Sequence, residues 1–394
     1  MKKKIVLMGY MSRCPIAGVV WQHLHYIVGF QRLGFDVYYF EDTTAWPYDA
    51  KKTTITEDCS YAVAVTKHLA EQYGFKWGFR AAYKVPAETY GCDAETFNRT
   101  LAEADAVFNL CGSQAMTEFV RKAKCLVFVE SDPGVEQIKL IKGVNDTIHF
   151  LKSHHFHFTF GENIGQDDCP LTSLEGIQWR PTRQPVVLDF WKRDAGSENK
   201  GTFRFTTVAN WETKGKDIIW KNKVYYWSKT FEFLKFSDLP RAVKAKRPMQ
   251  WELATDMRAD PASDELYRRL GWVLSEPHEM SAEFSRYRDY IQSSDAEWTV
   301  AKDQYIRLNT GWFSDRSACY LASGRPVVTQ DTGFAKFVPS GEGLFSFRRL
   351  ADIQAAADAI LTDPAKHSKA AEALAREYFD AEKVCGKMAK EIGI

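Results

Sequence analysis

The chain has 394 residues, 45% hydrophobic and 26% charged, an ordinary globular composition that excludes extended disorder. That length exceeds what one hydrophobic core usually serves, so two domains are expected. Lys and Arg number 52 against 51 Asp and Glu, so no global field draws the protein to nucleic acid or an anionic membrane. The cysteines (Cys14, Cys59, Cys92, Cys111, Cys125, Cys169, Cys319 and Cys385) are scattered without a CxxC pair. They read as reduced residues of a cytoplasmic protein rather than a disulfide framework or zinc site. No stretch reaches the roughly 20 apolar residues of a membrane helix.

Met1-Lys2-Lys3-Lys4 followed by Ile5-Val6-Leu7-Met8 mimics a secretory leader. The apolar run breaks at Gly9 and Tyr10 with no small-residue cleavage site, so a first strand is predicted instead. The loop 12–18 leads into a helix with Val20, Leu24, Ile27 and Val28 on one face and Gly34 at its stop. Residues 37–40 form a second strand, completing a βαβ unit that requires a parallel sheet. Further strands are predicted at 106–110, 125–129 and 156–160, ending respectively in Cys111-Gly112-Ser113, Glu130-Ser131-Asp132-Pro133-Gly134 and Gly161-Glu162-Asn163. Ligands of open α/β sheets bind beyond such carboxyl ends. A connection over about 179–200, marked by Pro181, Pro185, Gly196 and Ser197, precedes a second α/β series. Its strands are predicted at 203–208, 249–253, 298–300 and 326–328, with an Ala-rich amphipathic run over 353–379.

The most informative stretch runs from Gly311-Trp312-Phe313-Ser314-Asp315-Arg316-Ser317 to Gly324-Arg325-Pro326-Val327-Val328. Ser314 is placed as an N-cap with Asp315 in the first turn of a short helix that stops at Gly324 and feeds a strand. Then come the loop Gln330-Asp331-Thr332-Gly333, the turn Ser340-Gly341-Glu342-Gly343-Leu344-Phe345, and Asp363-Pro364 with Phe379. This ensemble resembles the C-terminal domain of GT-B glycosyltransferases of the family 1 and 4 kind, from about residue 203 onward. The resemblance implies an α/β GT-B architecture, two Rossmann-like domains whose parallel sheets face a central cleft. Residues 1–190 would be the acceptor-binding domain and 200–375 the nucleotide-sugar-binding domain, with a helix in 376–394 packing back on the first. It implies transfer from a nucleotide-sugar, UDP-linked or otherwise, to an acceptor hydroxyl, with no cofactor and no obligatory metal. Many retaining members carry two Glu residues across a seven-residue gap; those positions hold Gly311 and Cys319 here.

The physical reading stands beside the resemblance. A helix N-terminus suits a diphosphate, whose charge must be stabilised as it leaves. Ser314, Asp315, Arg316 and Ser317 sit where it would dock, Arg316 toward phosphate and Asp315 toward a ribose or sugar hydroxyl. Asn210 and Trp211 at a strand tip, Lys214 or Lys216 beyond it, Lys302 at the next tip, and the loop Asp331, Thr332 and Gly333 complete the donor set. Trp272 is a candidate for packing on the base. Asp132 is the first candidate for general base and Glu162 the second; Arg13 and Gly18 of the first loop are assigned to the acceptor pocket.

The histidines His154, His155 and His157 lack a nearby acid or Cys to complete a tetrahedral metal set. No Walker A motif, G-x-G-x-x-G after a strand, or G-x-S-x-G elbow is present. Two alternatives share these residues. One is a nucleotide-sugar 2-epimerase of the same architecture. The other is a nucleic-acid-binding protein or DNA-modifying glycosyltransferase. It rests on Trp211, Trp220, Tyr225, Tyr226 and Trp227 interleaved with Lys214, Lys216, Lys221, Lys223, Lys229, Lys235, Arg241, Lys244, Lys246 and Arg247. A solvated helix face is the plainer account of that stretch.

Overall fold

The computed structural model describes residues 2–174, 176–193, 201–245, 247–258 and 260–394; Gly196 and Ser197 of the predicted connection, and Lys246, lie outside the described residues. The chain builds two open α/β sheets. The first has eight strands, in the spatial order Trp179–Pro181, Phe156–Thr159, Leu126–Glu130, Ala106–Leu110, Lys4–Met8, Asp36–Thr43, Lys76–Ala81 and Glu88–Tyr90. Every neighbouring pair is parallel except the last, where Lys76–Ala81 meets Glu88–Tyr90 antiparallel. Ala106–Leu110 and Leu126–Glu130 are buried at every position, as strands covered on both faces must be.

The second sheet has six parallel strands in the order Val273–Ser275, Met249–Ala254, Phe203–Val208, Ala296–Thr299, Val327–Gln330 and Leu344–Phe347. Numbered within this sheet the order is 3-2-1-4-5-6, that of a dinucleotide-binding Rossmann domain. Its core is aromatic: Trp251, Trp272 and Trp298 pack with Phe205, Phe236 and Phe347. The final helix, Ala381–Glu391, returns to the first unit and lies on Ala17–Arg32. Gly29 permits that approach, since a Cβ there would stand 2.9 Å from Cys385 Sγ.

Three elements differ from expectation. The run over 353–379 is two helices, Leu350–Thr362 and Pro364–Tyr378, because Pro364 starts a new helix whose N-cap, Asp363, accepts the Lys366 N–H. The strand expected at 298–300 is Ala296–Thr299. Of the basic stretch read as a helix face, Thr230–Lys235 and Leu239–Ala242 are helices, but its earlier part is a hairpin, Ile218–Trp220 with Lys223–Tyr225. Its two turn residues, Lys221 and Asn222, hold φ of +48° and +58°, the sense a two-residue hairpin turn needs.

Candidate functional site

Strand order places the site. The second sheet reverses direction between Phe203–Val208 and Ala296–Thr299, and the crevice beyond their carboxyl ends is where such sheets bind ligands. Those ends lead into Asn210 and Lys302, and both line a cavity of about 440 Å³ between the two halves of the molecule. The size falls in the range of small-molecule sites, about 300–1,000 Å³. The opposite wall belongs to the first unit: Tyr10, Gly18, Gln22 and Asp132.

Lysines converge on this cavity. Lys216, Lys229 and Lys302 all line it. The ammonium of Lys302 lies 3.3 Å from the centre of the Trp227 ring and that of Lys216 4.6 Å from it, so one indole seats both cations. Burial drives the Lys229 ammonium well below its ordinary pKa, and repulsion from Arg316 and Lys302 adds to the effect. Burial lowers Lys302 as well, against the pull of Asp132. Cations desolvated and crowded in this way are stabilised by an incoming anion.

Two carboxylates share the space under opposite influences. Asp132 Oδ1 accepts a hydrogen bond from Lys302 Nζ at 2.8 Å and a second from the Tyr305 hydroxyl. Burial works to raise its pKa, but the ammonium and hydroxyl together prevail and hold it below the ordinary value. Asp315 opens the Asp315–Ala322 helix and takes a single side-chain hydrogen bond, from Gln22 Nε2 at 3.3 Å. Burial pushes its carboxyl up to about 7, and Asp132 adds to the rise.

Of the expected donor residues, Asn210, Lys216, Lys302, Ser314, Asp315 and Arg316 line the cavity, as does Gly18 from the acceptor set. Two of these differ in detail. Ser314 is at the N-cap, but its hydroxyl makes no capping bond. Arg316 is only 9% exposed and turns inward: its guanidinium pairs with Glu297 and donates to the Val208 carbonyl and, at 2.7 Å, to Thr299 Oγ1. Its charge is already matched, which corrects its assignment to the donor phosphates.

The other assignments are corrected by packing. Trp272 and Trp211 are core residues, their indole N–H groups spent on Ser237 O at 2.6 Å and Asp260 Oδ2 at 3.1 Å. Lys214 is exposed and pairs with Glu212 at 3.5 Å. Ser317 is fully buried beneath the helix and does not face the cavity. Asp331 is taken by Arg348 at 2.8 Å, and the Thr332 hydroxyl by the Trp312 carbonyl. Gly333 packs on Asn309, where a Cβ would stand 2.6 Å from Oδ1, so this glycine serves the loop. Arg13 has its backbone N–H on Glu41 and its guanidinium over the Tyr10 ring, turning Tyr10 rather than Arg13 toward the cleft. Glu162 forms a two-pronged ion pair with Arg183 at 2.6 and 2.8 Å in a separate groove beside Tyr378 and Lys387, so it is not placed as a base.

The two positions of the seven-residue gap explain themselves. Gly311 has φ of +78°, and a Cβ there would stand 2.6 Å from the Asn163 nitrogen, leaving no space for a glutamate. Cys319 does face the cavity, its Sγ 3.8 Å from His25 Nε2.

A second cavity, about 550 Å³, adjoins the first and shares Ser131, Asp132, Lys216 and Trp227 with it. Asp132 therefore stands where the two meet. Glu130 lies in its wall, pushed up to about 8 by burial, and its Oε1 has no hydrogen-bond partner. Sequence reasoning missed Lys229 and Tyr305 as site residues. Lys229 was visible only as one member of a basic run, and Tyr305 as an aromatic three residues past Lys302.

The nucleic-acid reading loses most of its stacking platform, because Trp211, Trp220, Tyr225 and Trp227 are buried and only Tyr226 of the five is half-buried. The histidines are occupied locally: His154 Nδ1 bonds the Phe150 carbonyl, His157 Nε2 the Leu151 carbonyl, and His155 Nδ1 accepts the Leu126 N–H. Among the described residues no group of three or more His, Cys, Asp or Glu is arranged to hold a metal, and no helix is long and apolar enough to cross a membrane.

Two Rossmann-like units with a cleft between them define the GT-B architecture, and comparison with solved structures identifies the fold as that one. Sucrose-phosphate synthase from Thermosynechococcus elongatus superposes with a TM-score of 0.53 at 11% identity, over 99% of this chain and 98% of the other. The Anabaena protein HepE, crystallised with UDP and glucose, gives 0.58 at 11% identity over 99% of each chain. An alpha-glucosyltransferase bound to UDP-glucose and DNA containing an abasic site gives 0.55 at 11%, over 100% and 99%. No family model and no curated protein sequence matches the chain.

Proposed function

We propose that the protein is a glycosyltransferase that moves a sugar from a nucleoside-diphosphate sugar to an acceptor hydroxyl. The observation that carries this is the convergence of Lys216, Lys229 and Lys302 on the switch-point cavity of a Rossmann sheet, opposite Asp132. The three ammonium groups and the start of the Asp315–Ala322 helix hold the diphosphate of the donor. Asp315, titrating near 7, grips a sugar or ribose hydroxyl from either protonation state. The acceptor enters the second cavity and brings its hydroxyl to Asp132. Its oxygen forms the bond to the anomeric carbon, the bond from that carbon to the diphosphate breaks, and the diphosphate leaves with the electron pair. Asp132 takes the proton released.

Charge stabilisation by lysines is the basis for proposing a reaction with no obligatory metal, so turnover is expected to survive chelation by EDTA. Eight free thiols accord with a reducing, cytoplasmic setting. Solved structures of the same fold hold UDP or UDP-glucose, which makes UDP the first donor base to try. The test is calorimetric titration with UDP, GDP, dTDP and ADP, followed by turnover of the matching nucleotide-sugar. Micromolar binding of one nucleotide supports the reading, and millimolar or weaker binding of all four sinks it. Donor consumption that yields an epimer without any acceptor would assign the protein to the 2-epimerases instead.

A further inference from the structure

Among the described residues Asp132 is the one carboxylate that lines both cavities, and groups from the other domain hold it. Lys302 Nζ stands 2.8 Å from Oδ1, and the Tyr305 hydroxyl donates to the same oxygen. Tyr305 is fixed in turn, buried and packed on Trp312 with ring centroids 4.4 Å apart. The indole of Trp312 donates to the Ser131 carbonyl at 2.9 Å, next to Asp132 in sequence. Tyr305 and Trp312 thus clamp the Ser131-Asp132 segment across the cleft. A carboxylate that accepts from an ammonium and a phenol is a weak base, because both bonds favour its ionised form.

Lys302 also lines the cavity where the donor diphosphate is placed. A diphosphate carries more charge than one carboxylate and reaches Lys216 and Lys229 as well, so it competes for Lys302 on favourable terms. We propose that Lys302 and Tyr305 are positioning residues that keep Asp132 masked as a base until the donor arrives and draws Lys302 onto its phosphates. The inference rests on the transferase reading given above. Tyr305 stays on Asp132 through the exchange and keeps the carboxylate aimed, while the departure of Lys302 restores its basicity. Water that enters the empty cleft meets an inactive base, and the acceptor meets an active one only beside a bound donor.

The groups that face Asp132 electrostatically are Lys302, Tyr305, Lys216, Glu130, Asp315, Lys229, Cys111 and Tyr10. Lys229 and Asp315 also line the cavity where the phosphates are placed, so the contribution of Asp132 has to be read as a difference. The experiment is calorimetric titration of the wild type and Asp132→Asn with UDP-glucose, or with the nucleotide-sugar selected by the screen above. It is run near pH 5.5 in two buffers of unlike ionisation enthalpy, which counts protons taken up on binding. A nucleotide-sugar has no phosphate group titrating near that pH, so any uptake belongs to the protein.

The wild type is expected to take up several tenths of a proton more than Asp132→Asn, and Lys302→Met to bind at least tenfold more weakly without that excess. Equal uptake by wild type and Asp132→Asn overturns the inference while leaving the transferase reading intact. Absence of binding by the wild type overturns both. If Asp132→Asn does not fold, Tyr305→Phe serves, since it deletes one hydroxyl from a ring that stays packed. Its acid limb of turnover should move to higher pH with donor KM unchanged, and an unmoved limb rejects the role of Tyr305.

Discussion

The two sheets share the strand order around their reversal and differ in what fills their crevices. In the second sheet the reversal between Phe203–Val208 and Ala296–Thr299 opens onto a cavity lined with lysines. In the first sheet the strands flanking Lys4–Met8, Asp36–Thr43 and Ala106–Leu110, make the same reversal. There the protein supplies its own ligands. Glu41 accepts the Ser12 and Arg13 N–H groups at 2.8 and 2.7 Å and the Tyr39 hydroxyl at 2.9 Å, while Gln114 donates to the Gly9 carbonyl at 2.5 Å. Gly9 has no room above it, since a Cβ would stand 2.2 Å from His23 Nε2. Topology therefore offers two sites, and side chains decide which remains open. Buried polar groups satisfied from within close one crevice, and crowded lysines facing a cavity mark the other.

That contrast is most directly broken at the open crevice. Asp132→Asn keeps the shape and removes the base, so turnover should fall by about 10²–10⁴-fold while the donor, no longer competing with a carboxylate for Lys302, binds at least as tightly. Steady-state rates beside a nucleotide titration check it, and retained turnover removes Asp132 from the chemistry. Arg316→Ala tests the line between cavity and core. The variant leaves Glu297 buried and unpaired, a loss expected to cost about 3–5 kcal/mol of stability. Denaturant unfolding measures it, and a fully stable variant with weakened nucleotide binding would return Arg316 to the phosphates.

At the closed crevice the expected effect is smaller. Glu41→Gln keeps the volume but turns an amide toward the Ser12 and Arg13 N–H groups, which should cost about 1–3 kcal/mol. Nucleotide affinity should not change. A variant that gained nucleotide binding in the first sheet would show that the plug, and not the lysines of the second, is what distinguishes the two crevices.

Much of this frame was legible in the sequence because it depends on local pattern. Apolar runs with small or polar tips marked the parallel strands, and the stretch from Ser314 to Gly324 marked the helix at the site. Residues at strand tips, such as Asp132, Asn210 and Lys302, were accessible to reasoning for the same reason. What sequence could not supply was direction. Arg316 and Ser317 follow Asp315 directly, yet the turn of the helix sends both inward, Arg316 because Glu297 waits beneath it. Glu162 sits at a strand tip like Asp132, and Arg183, 21 residues onward, draws it to the far groove. Lys229 reaches the cavity only because the hairpin at Ile218–Tyr225 folds its segment back, and Lys221-Asn222 was its sole local sign.

The smallest expected effect, on the pH dependence of stability, separates both crevices from the rest of the molecule. Burial raises Glu41 and Asp315 to about 7 and Glu130 to about 8, against an ordinary carboxyl value near 4. Between those limits the folded state binds more protons than the unfolded chain, so these groups make stability fall as pH rises. Burial lowers His23 and His154 to about 4 and His25 to about 3. Those rings stay neutral when folded, and the unfolded chain takes up protons below about 6.5, so they make stability fall as pH drops. The two sets oppose each other from about pH 4 to 6.5. Above 6.5 the carboxyls continue to lower stability, by about 3 kcal/mol together toward pH 8, and Lys229 and Lys302, whose pKa values burial lowers, offset part of that decline. Melting temperature measured across that interval should drop by a few degrees, and Glu130→Gln should flatten the limb, because Glu130 holds its proton to the highest pH of the three. A limb that stays equally steep in that variant would place the proton elsewhere and leave the wall of the second cavity charged at neutral pH.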